Sequence, residues 1–205
     1  MAKGFIIKCI DSVVKTILNA EEEIEHLDRA IGDGDHYINI KRGSIAVQSI
    51  ESELTTLPPD QAFKKIGMTL MASVGGASGP LFASFFLALA KEVSDESNLQ
   101  QFSKGFTSGV ESIIDRGKSK LGDKTMLDVL IPVSKKLESL ANEGCEKQKL
   151  IKEIDLVAMA GVMATKDMMP SKGRSAGLAE RAVGHIDPGA KTCQLIISTV
   201  CKELK

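Results

Sequence analysis

The chain has 205 residues, of which 43% are hydrophobic, enough for one substantial core and ordinary for a soluble globular domain. Its 26 basic and 27 acidic residues nearly cancel, which excludes a protein that binds nucleic acid mainly through phosphate contacts. Residues 1–8 hold no long apolar segment, and the longest strongly apolar run, 81–90, is too short to cross a bilayer. We therefore expect one cytoplasmic domain over residues 1–205 without contacts to membrane or nucleic acid.

Apolar residues recur at three- and four-residue spacing along most of the chain, which is the period of an amphipathic helix. One such stripe runs from Ile6 to Ile17, and another runs from Phe102 to Ile113. Further helices are predicted at about 36–54, 60–73, 80–94, 124–142, 150–168, 174–183 and 188–203. No region alternates convincingly as a strand. The pattern predicts an all-α bundle of about eight antiparallel amphipathic helices.

Three carboxylates lie within eight residues around a glycine-bearing turn between two helical stretches. Asp33 and Asp35 flank Gly34, which can adopt backbone angles that other residues avoid, and Asp28 belongs to the preceding turn. Oxygen ligands of this kind are those that Mg²⁺ prefers, so the segment is a candidate magnesium site. In an alternative interpretation, Asp33 or Asp35 only caps the following helix.

A glycine-rich loop, 75–80, separates two apolar helices. Its three glycines would let backbone N–H groups approach a phosphate at the start of the second helix. The same small residues would also let two helices cross closely, so the loop alone does not decide between a ligand site and a packing role.

Residues 116–119 resemble the end of a Walker A loop, but Ser112 stands where its first glycine belongs, and a helical stretch precedes it. A P-loop NTPase is therefore excluded. The next turn predicts a helix start with Asp123 as its cap, which leaves Thr125 and Met126 as possible ligand contacts.

Two later turns are also candidates. In 172–175, Arg174 offers a guanidinium suited to bidentate phosphate contact. In 184–190, Asp187 is predicted to cap a helix whose first residue is Pro188. The cysteines, Cys9, Cys145, Cys193 and Cys201, form no C-x-x-C pair, so we expect reduced and mostly buried thiols.

Four segments in order resemble the nucleotide-binding L subunit of bacterial dihydroxyacetone kinase, the DhaL family. They are LDRAIGDGDHYIN (27–39), GMTLMASVGGASGPLF (67–82), RGKSKLGDKTMLDVLIPV (116–133) and KGRSAGLAERAVGHIDPGA (172–190). The resemblance covers nearly the whole chain. It implies an eight-helix barrel whose loops at one end hold ADP or ATP through two Mg²⁺ ions.

The resemblance also implies roles for individual residues. Asp28, Asp33 and Asp35 would be the metal ligands. Nucleotide contacts would come from residues in all four segments: His36, Ile38, Asn39, Ala77, Ser78, Gly117, Thr125, Met126, Arg174, Asp187 and Gly189. One departure is Tyr37, because the family commonly has glycine after the histidine, and we expect this side chain to reshape the rim of the pocket.

By the same resemblance, the chain is one subunit of a phosphotransferase and is inactive alone. A separate K subunit would hold dihydroxyacetone on a histidine, and a phosphohistidine M subunit would rephosphorylate ADP that stays bound. A free-standing L chain favours this phosphotransferase-system type over one in which ATP exchanges. Three alternatives remain: an ATP-exchanging kinase subunit for another small sugar, a nucleotide-bound coactivator of a transcriptional regulator, and a helical scaffold with no ligand. A homodimer also remains open.

Overall fold

The computed structural model describes residues 3–205, apart from the side chains of Lys3, Arg174 and Leu178. Over this range the chain forms ten α-helices and no strand. The helices are α1 Lys3–Asn19, α2 Glu21–Ile31, α3 His36–Ser49, α4 Glu51–Leu54, α5 Pro59–Ser73, α6 Ser78–Leu89, α7 Leu99–Gly117, α8 Leu127–Glu143, α9 Lys147–Ala164 and α10 Pro188–Glu203. Two 3₁₀ segments, Thr165–Asp167 and Arg174–Ala182, lie between α9 and α10.

Eight of the described helices close into a ring. Each packs against the next in the order α1, α3, α5, α6, α7, α8, α9, α10, and α10 returns to α1. Lys8 and Thr16 of α1 bond Glu203 and Thr199 of α10, respectively, so these two helices are antiparallel. The prediction of an all-α barrel of about eight helices is confirmed.

Several helix ends follow local sequence signals. Pro59 and Pro188 occupy the first turns of α5 and α10, where the missing N–H has no helical partner to lose. Asn98 and Gln101 form a capping box at the start of α7, each side chain accepting from the other residue's backbone N–H at 3.0 Å. Gly144 ends α8 with a φ of 64°, a conformation that costs other residues energy.

The apolar faces of the ring helices meet in a central cluster that includes Ile113, Leu127 and Val133, each almost completely buried. Helices α6 and α7 approach closely, because a Cβ on Gly109 would lie 2.5 Å from the ring of Phe85. A second, smaller cluster comprises Ile17, Ala20, Ile24, Tyr37 and Ile40. It joins α1, α2 and α3 and thereby supports the turn that carries the three aspartates.

Two predicted helices differ from the observed ones. The α-helix predicted at 174–183 is wrong, since Arg174–Ala182 is 3₁₀ and contains Ala179 with a φ of 46°, outside the helical region. The helix predicted at 36–54 is interrupted at Ile50, which separates α3 from the short α4. In both segments the apolar residues keep a helical spacing, although the α-helical conformation of the backbone is interrupted.

The four cysteines are free thiols. Cys193 and Cys201 are buried, whereas Cys9 and Cys145 are half-buried, so the prediction of mostly buried thiols holds for two of them. Burial raises the pKa of Cys201 to about 11, which keeps this thiol protonated and unreactive. Among the described helices, none has the length and apolar character needed to span a membrane.

Candidate functional site

The three aspartates of the turn between α2 and α3 converge. One carboxylate oxygen from each of Asp28, Asp33 and Asp35 lies within 4.8 Å of the other two. Asp28 is fully buried, Asp35 is half-buried and Asp33 is exposed, so the cluster opens towards solvent on one side. Three negative groups this close repel each other, and a cation would relieve that repulsion.

Contacts with neighbouring residues hold the Asp28 side chain in this position. Its Oδ2 accepts a hydrogen bond from the backbone N–H of His36 at 2.9 Å, while its buried Oδ1 has no hydrogen-bond partner. A Cβ on Gly32 would collide with that Oδ1, so the close approach requires glycine. A buried carboxylate oxygen without a donor is costly, and its free lone pairs suit a bound cation.

The capping interpretation of the aspartates does not agree with this geometry. Asp35 occupies the N-cap position of α3, yet its side chain accepts no capping hydrogen bond. The first amide of the helix is bonded by Asp28 instead. Capping of α3 therefore does not account for the carboxylate of Asp35.

The first turn of α3 is fastened to the first turn of α10. The hydroxyl of Thr192 donates to the carbonyl of Pro188 at 3.0 Å, so the Nε2–H of His36 donates to the Thr192 oxygen at 2.9 Å. Burial lowers the pKa of His36, against the opposing effect of the nearby Asp28 and Asp33. The imidazole is thus a neutral group held beside the carboxylate cluster.

The glycine-rich loop follows α5 and leads into α6. Gly76 has a φ of 64°, and α6 begins at Ser78 without a side-chain cap from Ala77. The first amide groups of α6 are therefore not occupied by a capping side chain and can serve a phosphate. A Cβ on Gly79 would collide with the carbonyl of Val74, so the loop is also tightly packed.

Asn39 connects this loop to the carboxylate turn. It lies on the buried side of α3, whereas Ile38 next to it is 58% exposed. A Cβ on Gly75 would lie 2.6 Å from Asn39 Oδ1, which places the amide directly against the loop.

The loop between α7 and α8 is organised by two aspartates. Asp123 accepts from the N–H of Lys120 at 2.8 Å and from the hydroxyls of Ser119 and Ser171. It is not the cap of α8, so that prediction is wrong. The helix begins at Leu127, after Asp123, and Asp128 accepts from the N–H groups of Gly122 and Thr125 at 2.6 and 2.8 Å. 

Lys124 lies at the centre of this loop and is fully buried, with a φ of 60°. Its ammonium donates to the carbonyls of Thr165 at 2.5 Å and His185 at 2.6 Å. Burial lowers its pKa, an effect opposed first by Asp187. Lys124 thus joins the α7–α8 loop to the segment that precedes α10.

Asp187 caps α10 as predicted, accepting from the N–H of Ala190 at 2.7 Å. Its own N–H donates to Thr165 Oγ1 at 3.1 Å. Loss of solvation, together with the neighbouring Asp128, raises the pKa of its carboxyl to about 7 against the lowering effect of the Ala190 N–H and of Lys124. A carboxyl that can be neutral near pH 7 is therefore placed at this end of the barrel.

The four predicted segments meet at one end of the barrel. A Cβ on Gly189 would lie 3.8 Å from Met126, and one on Gly173 would lie 3.4 Å from Thr125. Gly117 is similarly beside Leu81 of α6. Together with the contact between Gly75 and Asn39, these contacts link the four segments to one another, and the side chain of Arg174 lies outside the described residues.

Comparison with known proteins agrees with this arrangement. The DAK2 domain family matches residues 30–202. The ADP-binding DhaL subunit of PEP-dependent dihydroxyacetone kinase 1 from Listeria innocua is 36% identical over 195 residues, which are 95% of this chain and 93% of that subunit. The corresponding Escherichia coli subunit is 36% identical over 194 residues, covering 92% and 91% of the two chains. The chain belongs to the DhaL family.

The fold of this DhaL-family chain is also found within a longer protein. The crystal structure of dihydroxyacetone kinase from C. freundii, in complex with AMP-PNP and Mg²⁺, superposes with a TM-score of 0.77 at 24% identity. The match covers 98% of this chain and 34% of that kinase chain, so the barrel corresponds to about a third of the longer protein.

Tyr37, the departure from the usual DhaL pattern, does not lie at the pocket rim. It is 1% exposed and packs in the small cluster between α1, α2 and α3. Its hydroxyl donates to Glu21 at 3.0 Å, and Lys41 lies 5.4 Å above its ring. Burial and this hydrogen bond raise its pKa to about 12. The prediction that it reshapes the rim is wrong, because α3 turns this side chain inward.

Sequence reasoning in the DhaL-family chain missed Lys124, Asp128 and Arg42. Lys124 and Arg42 donate to main-chain carbonyls that are distant in sequence. Asp128 instead accepts from amides of the loop just before its own helix, at Gly122 and Thr125. All three look like ordinary surface charges in a one-dimensional pattern. Lys124 could have been noticed from one feature of the sequence. It lies between an aspartate and a threonine, in a stretch that directly follows a glycine, where the chain is expected to turn.

Proposed function

We propose that this chain is the ADP-binding subunit of a PEP-dependent dihydroxyacetone kinase and transfers a phosphoryl group from bound nucleotide to dihydroxyacetone on a separate K subunit. Relatives with this name align over nearly the whole of both chains. The observation that carries the proposal is the convergence of the three aspartates, including a buried Asp28 oxygen with no hydrogen-bond partner.

The donor set fits Mg²⁺. All three groups are carboxylates, which suit a hard cation, and they come from a single turn that leaves other coordination positions to phosphate oxygens and water. We assign Asp28, Asp33 and Asp35 to two Mg²⁺ ions. When bound, these ions would neutralise the phosphate charge that opposes attack by the acceptor.

The chain's own residues would bind and orient the nucleotide. Asn39 and the amides at Ala77 and Ser78 would donate to phosphate oxygens beside the aspartates, with neutral His36 fixing the first turn of α3. Ile38 would also lie beside the phosphates. Gly117 and Met126 would lie near the adenosine, and Thr125, Arg174, Asp187 and Gly189 would complete the pocket. Holding the phosphates in one orientation is the main contribution that a protein makes to phosphoryl transfer.

No residue of this chain is assigned as the base that activates the acceptor hydroxyl. We assign that role to the K subunit, which would present dihydroxyacetone to the pocket. A phosphohistidine M subunit would then rephosphorylate ADP in place. The chain alone is expected to show no kinase activity.

The test combines this chain with K and M subunits and dihydroxyacetone. A relay driven by phosphoenolpyruvate should yield dihydroxyacetone phosphate without added ATP, while labelled ADP stays bound through many turnovers. Product formed from excess ATP without the relay, with rapid exchange of labelled ADP, would contradict the resident cofactor. Absence of product under both conditions, with folded subunits, would contradict the kinase assignment.

A further inference from the structure

The inference concerns Arg42, an exposed arginine on α3, one turn after Asn39. Its Nε donates to the carbonyl of Ser73 at 2.6 Å, and its Nη2 donates to Asn39 Oδ1 at 2.7 Å. One guanidinium therefore joins the last residue of α5, where the glycine-rich loop begins, to the amide that borders that loop. An arginine that only extended into solvent would not make both contacts.

The contact decides which way the Asn39 amide faces. A guanidinium has only N–H donors, so the amide atom turned towards it must be the oxygen. The amide nitrogen, with its two N–H donors, is then left for the other side. Since Asn39 is 6% exposed and lies against Gly75, rotating the amide would place N–H groups against N–H groups in a closely packed position.

Gly75 completes the arrangement. A Cβ at this position would lie 2.6 Å from Asn39 Oδ1 and 2.7 Å from Arg42 Nη2. Glycine is thus needed where the arginine and the amide meet, for reasons of space. The glycine-rich loop contributes to the site through this contact as well as through its amides.

We propose that Arg42 is a positioning residue that orients the Asn39 amide so that its N–H groups face the phosphates of the bound nucleotide. The proposal rests on the proposed function, because it assumes a nucleotide beside Asn39. Arg42 acts through Asn39 and does not itself contact the nucleotide. If Asn39 is absent, Arg42 has nothing to orient, and its effect on nucleotide affinity should disappear.

The experiment is a double-mutant cycle on ADP affinity, measured by calorimetry with the full chain in excess Mg²⁺. Arg42→Met and Asn39→Ala should each weaken ADP binding, by about tenfold if one charge-assisted phosphate contact is lost. The double variant should bind ADP as Asn39→Ala does. Arg42→Lys should recover part of the affinity, since an ammonium can still donate to Asn39 Oδ1.

Lys65→Met is the matched control. It removes the same charge from α5, where Lys65 forms an ion pair with Glu53 of α4, and it should leave ADP affinity unchanged. Thermal unfolding of each variant without nucleotide verifies that the barrel is intact. Gly75→Ala should imitate Arg42→Met, and its effect should shrink when Asn39 is replaced by alanine.

An additive cycle would overturn the proposal, because Arg42→Met would then weaken binding equally with and without Asn39, as a general charge or loop effect would. If the wild-type chain itself binds no ADP in the presence of Mg²⁺, both the proposed function and this inference are wrong. The wild-type titration and the cycle therefore separate the two failures.

Discussion

Asp33 and Asp35 give the most direct test of the metal assignment at the scale of single residues. Asp33→Asn or Asp35→Asn should weaken ADP binding in Mg²⁺ by at least about tenfold, because a hard cation loses a charged ligand. The thermal stabilisation that the wild-type chain gains from ADP and Mg²⁺ should shrink with it. Calorimetry and thermal unfolding, each with Mg²⁺ present, measure the two effects.

The same substitutions should behave differently without ligand. Without ADP and Mg²⁺ there is no binding-linked stabilisation to lose, so the ligand-free Asp33→Asn chain should differ from wild type by less than it does with both present. Asp11→Asn is the control. Position 11 lies outside the turn, and the Asn side-chain oxygen can still accept the hydrogen bond that the Gln48 amide donates to Asp11. Equal ADP affinity in all three variants would show that the carboxylates hold no metal.

Asp187 should make stability depend on pH. Its pKa is raised to about 7 in the folded chain, whereas an exposed aspartate titrates near pH 4, so between these values the folded chain retains a proton that the unfolded chain releases. The free energy of unfolding should therefore fall as pH rises through this range. Asp187→Asn cannot titrate but can still cap α10, so it should lose that part of the dependence.

Urea unfolding of the nucleotide-free chain at about pH 5 and about pH 7.5 checks this. The Asn variant should gain stability relative to wild type at the higher pH, on the order of 1 kcal/mol. A difference between the two chains that does not change with pH would show that the carboxyl of Asp187 titrates normally.

Single residues were predictable where the chemistry is local. The three aspartates share one turn, so their short spacing was sufficient to group them. Asp187 directly precedes a proline and accepts from the N–H of Ala190, three residues later, so its capping role was also visible in the sequence. Tyr37 was misassigned because it packs between helices and donates to Glu21, and Asp123 was misassigned because its carboxylate turns back to Ser119 and Lys120 and across to Ser171. No spacing rule contains that information.

At the scale of elements, Lys124 joins the α7–α8 loop to the segment before α10. Lys124→Met would leave the carbonyls of Thr165 and His185 without their charged donor, so it should lower the free energy of unfolding by about 2–4 kcal/mol. Lys120→Met changes an exposed lysine of the same loop and should cost little. Urea denaturation compares the two, and equal stability would contradict the bracing role of Lys124.

Helix positions were predictable from apolar spacing, but the segment between α9 and α10 was not. Residues 174–183 carry a helix-like spacing, yet Gly173 and Ala179 have positive φ values and the described segment is 3₁₀. Its path is determined by contacts at its ends, such as Gly184 N–H to Lys166 O at 2.8 Å. Tertiary contacts of this kind override local preference.

For the whole molecule, the ring of eight helices places every second connection at the same end of the barrel. The turn at 32–35, the glycine-rich loop, the α7–α8 loop and the segment before α10 are such connections. The sequence motifs therefore predicted loops that share one end of the barrel, and the up-and-down topology explains why they do. The orientation of groups within the site, such as the Asn39 amide, required the three-dimensional structure.

The central claim is that this chain carries an adenine nucleotide through Mg²⁺ on the turn of Asp28, Asp33 and Asp35. Native mass spectrometry of the purified chain tests it most directly, because one spectrum counts both nucleotide and metal. We predict the mass of the chain with one ADP and two Mg²⁺, and the mass of the chain alone once EDTA removes the metal. A chain that carries no ADP, and takes up none when ADP and Mg²⁺ are added, would contradict the account.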